Sequence, residues 1–278
     1  MTSGPLDAIL LAMDKSAVRD GLELAFLSNL EYFRELTRRS GGTVLDEDGV
    51  TCFASPHPFP FLVSGAFRTD PSRPPADVLE HLGRFRASRG RSLPLSALGG
   101  RDDDLIEAAL EVGWTLGESP DPLQVLDRQR LEGHDVAGIA FRPVVDAAGV
   151  ADLTAVCQGA HAAYGFPDDL FATLFARPEA VIAAHIRAVV GYDGDAPVAT
   201  ATLFLTHGVA YVGWIAVLDD HQRRGLGAAA TAVVTNDGFD RGAQCTVLVA
   251  SPMGAPLYRK LGFVDVAEIV GLEPPESA

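Results

Sequence analysis

The sequence predicts an α/β protein made of two halves that share an order of elements. Three observations carry that prediction. Apolar runs of strand length alternate with segments whose apolar residues recur at helical spacing. The succession strand, helix, strand, helix, Gly-aromatic occurs twice, at an offset of 149 residues that takes Phe61 to Ala210 and Trp114 to Phe263. The chain has 278 residues, enough for two ordinary domains. The polar stretch Glu132-Gly133-His134-Asp135 marks the join, so the expected units are 1–134 and 135–278.

In the second half, Gly138 to Val144 alternates and predicts a first strand. Val150, Leu153, Ala155, Val156 and Ala160 space a helix over Asp146 to Ala163. Asp168 to Val190 predicts one or two more helices, interrupted at Arg177-Pro178. Val189 to Tyr192 and Val198 to Thr206 flank Asp193-Gly194-Asp195 and predict a hairpin. His207-Gly208 turns the chain into a strand from Val209 to Val217, and a helix follows from about Gly225 to Gly238. A buried strand from Thr246 to Ala250 comes next. A short helix closes at Leu261-Gly262, where Gly suits a left-handed cap, and Phe263 to Val270 is the last strand. The first half repeats the end of this order. Phe61 to Arg68 is a strand, Ala76 to Ser88 a helix, Arg91 to Leu98 a strand, and Asp102 to Val112 a helix that Asp102 can cap.

Composition narrows the function. Hydrophobic residues make up 47% and charged residues 21%, the balance of a folded soluble protein. The formal charge of 22 − 37 = −15 repels phosphate backbones, so a nucleic-acid partner is not expected. Cys52, Cys157 and Cys245 are too few for a disulfide framework and form no C-x-x-C pair, which reads as reduced thiols in a cytoplasmic protein. Asp7 and Asp14 around the first apolar stretch argue against a secretory leader. The longest apolar run, Gly208 to Leu218, is far short of the ~20 residues a membrane span needs.

The segment from Ile215 to Ala228 carries the chemistry. An apolar strand runs into Gln222-Arg223-Arg224-Gly225-Leu226-Gly227 and then into an Ala-rich helix. The first turn of a helix offers unpaired N–H groups and partial positive charge, and Gly225 and Gly227 leave those amides open. Such a site suits a phosphate or pyrophosphate. Arg223, Arg224, Arg259 and Lys260 are four of the eight basic residues in the second half, which is consistent with an anionic ligand. A dinucleotide fingerprint fits poorly, because the gap from Leu218 to Arg224 is long and no acid closes the next strand.

Gln222 to Gly227 resembles the Q/R-x-x-G-x-G/A signature of the GCN5-related N-acetyltransferases. Trp214 to Val217 resembles that family's fourth strand, and Gly254 to Phe263 its second signature, A-x-x-L-Y-x-x-x-G-F. The resemblance covers about residues 138–270 and implies a mixed, mostly antiparallel sheet with helices on both faces, present twice in a tandem member. It implies transfer of an acetyl group from acetyl-CoA to an amine, by direct attack and without a metal. The implied roles fall on matched positions only. The backbone at Ile215, Ala216 and Val217 would pair with the pantetheine arm and polarise the thioester carbonyl. The amides of Arg223, Arg224, Gly225, Leu226, Gly227 and Ala228 would cradle the pyrophosphate. Tyr258 would protonate the leaving thiolate. Ser251 stands where many members carry Asn, and Thr246 stands where some carry a Glu base, so the base is unassigned and a water relay can serve. His161 and Tyr164 lie on or just after the helix that would wall the acceptor site in this fold; His161 is a candidate base, with a polar helix residue as the plainer reading. The implied partner is a small-molecule amine or a peptide amine, with a homo-oligomer compatible and no membrane. The alternative from another class is a non-catalytic acyl-CoA sensor or scaffold.

In the first half the offset places Pro74, Pro75 and Ala76 where Arg223, Arg224 and Gly225 stand, and Ala109 where Tyr258 stands. Proline has no N–H, so this half keeps a helix start without the anion cradle, and a structural or acceptor-shaping role is expected.

Overall fold

A computed structural model of the chain describes residues 15–59, 63–132, 135–162 and 165–275. Three elements precede the first strand that the pattern predicts: α1 (Lys15–Arg39), β1 (Thr43–Glu47) and β2 (Val50–Ala54). Then follow β3 (Ser64–Arg68), α2 (Pro75–Arg89), β4 (Leu95–Leu98), α3 (Asp103–Glu111), β5 (Thr115–Leu116) and β6 (Asp121–Asp127). Phe61 and Leu62, the predicted start of β3, lie outside the described residues. The strand predicted from Arg91 begins only at Leu95, because Arg91 turns its guanidinium to the Ser55 and His57 carbonyls at 2.9 and 2.6 Å.

The second half holds β7 (Ile139–Pro143), α4 (Ala147–His161), α5 (Leu170–Leu174), β8 (Ile186–Asp193), β9 (Ala196–Thr206), β10 (Val209–Val217), α6 (Leu226–Asp240), β11 (Cys245–Val249), α7 (Ala255–Lys260) and β12 (Val264–Glu273). Asp146 caps α4 by accepting the Gly149 amide at 2.9 Å. The helical stretch predicted after Asp168 shrinks to α5 and a single 3-10 turn, Pro178–Ala180, since β8 starts early at Ile186. Gly113 and Gly262 both adopt positive φ, 91° and 98°, and close α3 and α7 in the same way. The bonds Trp114 N–H to Ala109 O and Phe263 N–H to Tyr258 O, each 3.0 Å, repeat at the offset read from sequence.

One expected cap is absent. Asp102 does not cap α3 with its side chain; it is buried with Arg68, Oδ1 accepting Nε–H at 2.9 Å, and its Oδ2 accepts the Leu98 amide at 2.9 Å. Both side chains are 1% exposed, and a buried charge requires a partner, which takes the carboxylate away from the helix end.

All twelve strands form one sheet in the order β1-β2-β3-β4-β12-β6-β11-β10-β9-β8-β7, with β5 beside β12. Only β3 with β4 and β10 with β11 are parallel, one pair in each half. The sheet crosses residue 134 without a break. β6 precedes that point in sequence, yet it lies between β11 and β12, with Leu123 opposite Val249 and Asp121 opposite Ile269. In return, the end of β12 pairs with β4, Ile269 opposite Leu98. One face carries α1, α4 and α5 over a core that includes Phe26, Leu30, Phe171, Tyr211 and Val247. The other carries α6 and α7 over Leu203, Ala210, Val212 and Leu248.

Candidate active site

A cleft opens between β10 and β11. The two strands pair at Val209, Ala210 and Tyr211, opposite Cys245, Thr246 and Val247, and then part, although β10 runs on to Val217. A bulge between Gly213 and Ala216 helps turn β10 away. It holds Trp214 at φ +48°, a conformation that costs an aromatic residue about 1–3 kcal/mol. Edge-on contacts with Phe171 and Phe175, at 5.5 and 5.6 Å between ring centres, hold it there. Beyond the bulge Ala216 and Val217 pair with β9 on one side only, so the other side of the Ile215–Val217 backbone faces the gap.

The loop after β10 closes the wide end of the cleft. Asp219–His221 form a 3-10 turn, Gln222 donates to the Asp219 carboxylate at 2.8 Å, and Arg223 and Gly225 both take positive φ, 61° and 87°. Gly225 then starts α6, and the first bond of that helix is Ala229 N–H to Gly225 O at 3.0 Å. The amides of Arg223, Arg224, Gly225, Leu226, Gly227 and Ala228 therefore have no acceptor among the described residues. Successive amides in such a turn form an anion-binding concavity. A Cβ on Gly227 would come within 3.2 Å of Leu257, so α7 packs tightly against this helix start.

The basic side chains contribute less than their number in the sequence suggests. Arg224 pairs with Asp193 at 3.1 Å, and Arg259 is held bidentately by Asp265. Arg223 is exposed and has no ion pair among the described residues. The amides, more than a cluster of cations, are what this loop can offer an anion.

Tyr258 sits on α7, its ring edge-on to Phe263 at 5.9 Å. Its hydroxyl has no hydrogen-bond partner among the described residues, and burial pushes the phenol well above its usual pKa, so it stays protonated. Ser251 follows β11 and accepts the Gly254 amide on its hydroxyl at 3.2 Å, which makes it the cap of the α7 turn. Thr246 is fully buried beside the parallel pairing, and its hydroxyl has no partner among the described residues. His161 ends α4, with Nδ1 2.8 Å from the Cys157 carbonyl, and burial lowers its pKa; Tyr164 lies outside the described residues.

Two features escape a reading along the chain. α1 lays Tyr32 on the narrow end of the cleft, stacked on Tyr211 at 4.4 Å. β6, from before residue 134, brings Asp121 past the end of β11, where β10 and β11 have already parted. The apolar spacing of Leu22, Phe26, Leu30, Phe33 and Leu36 signals α1, but nothing local says which surface it covers.

The first half lacks this cleft chemistry. At the offset of 149, Arg68 stands for Val217 and Asp102 for Ser251. Their buried pair spans from β3 to the loop after β4, and Arg101 reaches the Arg68 and Thr69 carbonyls at 2.9 and 3.1 Å. Asp77 N–H bonds to Pro74 O at 3.0 Å, and Pro74 and Pro75 supply no amide.

Residues 153–263 match the Acetyltransferase (GNAT) family. Among solved structures, a GCN5-related N-acetyltransferase from Kribbella flavida is 25% identical, with 91% of this chain and 96% of that one covered and a TM-score of 0.68. A GCN5-related N-acetyltransferase from Sphaerobacter thermophilus is 15% identical over 84% of this chain and 79% of its own, with a TM-score of 0.60. A tandem GNAT protein from the clavulanic acid biosynthesis pathway is 15% identical over 85% and 80%, with a TM-score of 0.57. No curated protein gives a significant sequence match. By family match, sheet topology and the parting of its parallel strands, residues 153–263 carry a GNAT family domain, and the chain as a whole shares the fold of GCN5-related N-acetyltransferases, a tandem GNAT protein among them.

Proposed function

We propose that the protein transfers an acetyl group from acetyl-CoA to an amine, in the second half alone. The family and fold support acyl transfer. The observation that carries the finer reading is the run of six unpartnered amides from Arg223 to Ala228 at the wide end of a cleft between parallel strands. A pyrophosphate fits that run, and the free side of Ile215–Val217 offers an extended arm a strand to pair with. Acetyl-CoA supplies the thioester. The chain's own residues orient it, present backbone donors to the carbonyl, and hold at Tyr258 a proton for the leaving sulfur. Buried, unbridged Cys52 and Cys157 fit a reducing compartment, the cytoplasm, and no helix among the described residues is long and apolar enough to cross a membrane.

Gly227→Asp tests the site. An acid in the first turn favours the helix, and the crowded neighbour is the tip of Leu257, so the fold holds while the carboxylate repels phosphate. Calorimetry should show CoA affinity falling about tenfold or more. Unchanged affinity in the folded variant would remove the cofactor assignment.

A further inference from the structure

β6 carries a carboxylate to the β11 side of the opened cleft, where none of the motifs in the second half supplies one. Asp121 opens the strand, and the next residue, Pro122, accepts the Ala250 amide on its carbonyl at 3.0 Å. That bond fixes Asp121 beside the end of β11, past the point where β10 and β11 part. Side chains alternate along a strand, and Leu123 and Val125 belong to the face of α1, α4 and α5. Asp121 shares their parity. Its cross-strand partner Ile269 lies in the same core, as does Tyr211, the last β10 residue paired with β11. The Asp121 charge is felt at the Tyr211 hydroxyl, whose pKa is raised mainly by burial and further by that carboxylate.

Asp121 is half-buried and has no hydrogen-bond or ion-pair partner among the described residues. Burial raises its pKa to about 6, which leaves it ionised at neutral pH but a better proton acceptor than an exposed carboxylate. The same face holds other polar groups without partners. Both polar atoms of Asn29, which is fully enclosed, are buried without a partner among the described residues. Buried polar groups in a folded protein ordinarily find partners, so the unpaired carboxylate of Asp121 points to a polar ligand.

We propose that Asp121, carried on a strand from the first half, receives the acceptor as a primary ammonium ion and takes its proton. This rests on the acetyl-CoA reading above. The ammonium N–H bond breaks and its proton passes to an Asp121 carboxylate oxygen. The nitrogen lone pair then forms the N–C bond to the thioester carbonyl, the C–S bond breaks, and the sulfur takes the Tyr258 proton. Loss of the second proton from nitrogen to water, release of the Asp121 proton to solvent and reprotonation of Tyr258 from solvent complete the balance: ammonium plus thioester gives amide, thiol and one proton. The first half thus contributes to the reaction through β6, with α1 as the opposite wall of the acceptor space.

The test needs no knowledge of the natural amine. Two CoA derivatives of matched length, S-(2-aminoethyl)-CoA and S-propyl-CoA, place an ammonium or a methyl just beyond the sulfur. Calorimetry on the full chain should show the ammonium form binding about tenfold or more tightly than the propyl form, as a charge-assisted hydrogen bond requires. Asp121→Asn should abolish that preference while plain CoA still binds, which reports an intact site. Equal affinities in the wild type, or a preference that survives Asp121→Asn, would overturn the assignment of Asp121. Failure of plain CoA to bind the wild type would instead sink the acetyl-CoA reading, and this inference with it.

Discussion

Tyr258 and Asp121 are both shifted upward by burial, with opposite consequences for the proton each would handle. A buried phenol stays a donor at every working pH. Tyr258→Phe keeps the ring and its contact with Phe263 and removes only that donor. The turnover rate should fall by roughly 100-fold with little change in KM for acetyl-CoA. Full activity would reduce Tyr258 to a packing residue. Asp121 also has a cost in stability, whose sign follows from linkage. Its folded pKa of about 6 lies above the ordinary 3.8, so the folded chain binds the proton more tightly than the unfolded chain. The stability that the proton contributes is fully present below the ordinary value and is lost as pH rises through about 6. Asp121→Asn has no charge to desolvate, so urea unfolding should show it gaining on the wild type at pH 8 relative to pH 4. A difference that does not change with pH would show that the carboxylate is not desolvated.

Two strand–helix units with the same order have diverged at the ends of their parallel strands. In the second half the strand end is Val217 and the loop beyond β11 begins with Ala250 and Ser251, which leaves the gap open for a ligand. In the first half Arg68 and Asp102 occupy the matching positions and close the gap with a buried pair. Removing Arg68 leaves buried Asp102 with only the longer contact to Arg101, at 3.3 Å, to offset its charge. Arg68→Ala should therefore destabilise the protein by about 3–5 kcal/mol in chemical unfolding. A loss under about 1 kcal/mol would mean that water reaches Asp102 freely. The same comparison predicts stoichiometry. With Pro74 and Pro75 in place of two amide donors and Ala109 in place of Tyr258, the first half should bind no CoA, and titration should give one site per chain. Two sites would show that the cradle can form without those amides.

Across the whole molecule the exchange of β6 and the end of β12 joins the halves through hydrogen bonds of one continuous sheet. Neither half can part from the other without opening strand edges. The two tryptophans report on this, since Trp114 packs in the core of the first half and Trp214 lies in the bulge of β10. Single-tryptophan variants, Trp114→Phe and Trp214→Phe, should give coincident denaturation midpoints once their own stability changes are measured by circular dichroism. Separate midpoints for fluorescence and circular dichroism within either variant would show that the halves unfold apart.

The sequence by itself determined what is contiguous along the chain. The Gly-rich start of α6, the Tyr-bearing α7, the repeat at 149 residues and the left-handed Gly caps all follow from local chemistry: amides at a helix start, glycine where φ is positive, and apolar spacing. It also marked Pro74 and Pro75 as incompatible with an amide cradle. Only the tertiary structure decided what depends on partners far apart in sequence. Asp102 reads as a helix cap until Arg68 is seen to claim it. Arg259 reads as a cation for an anion until Asp265 is seen to hold it. Asp121 and Tyr32 carry no motif, and their places past the end of β11 and against β10 come from β6 pairing with β11 and α1 packing across β10. Strand pairing and face-to-face packing are chosen by complementary surfaces in three dimensions, and local propensity does not encode them.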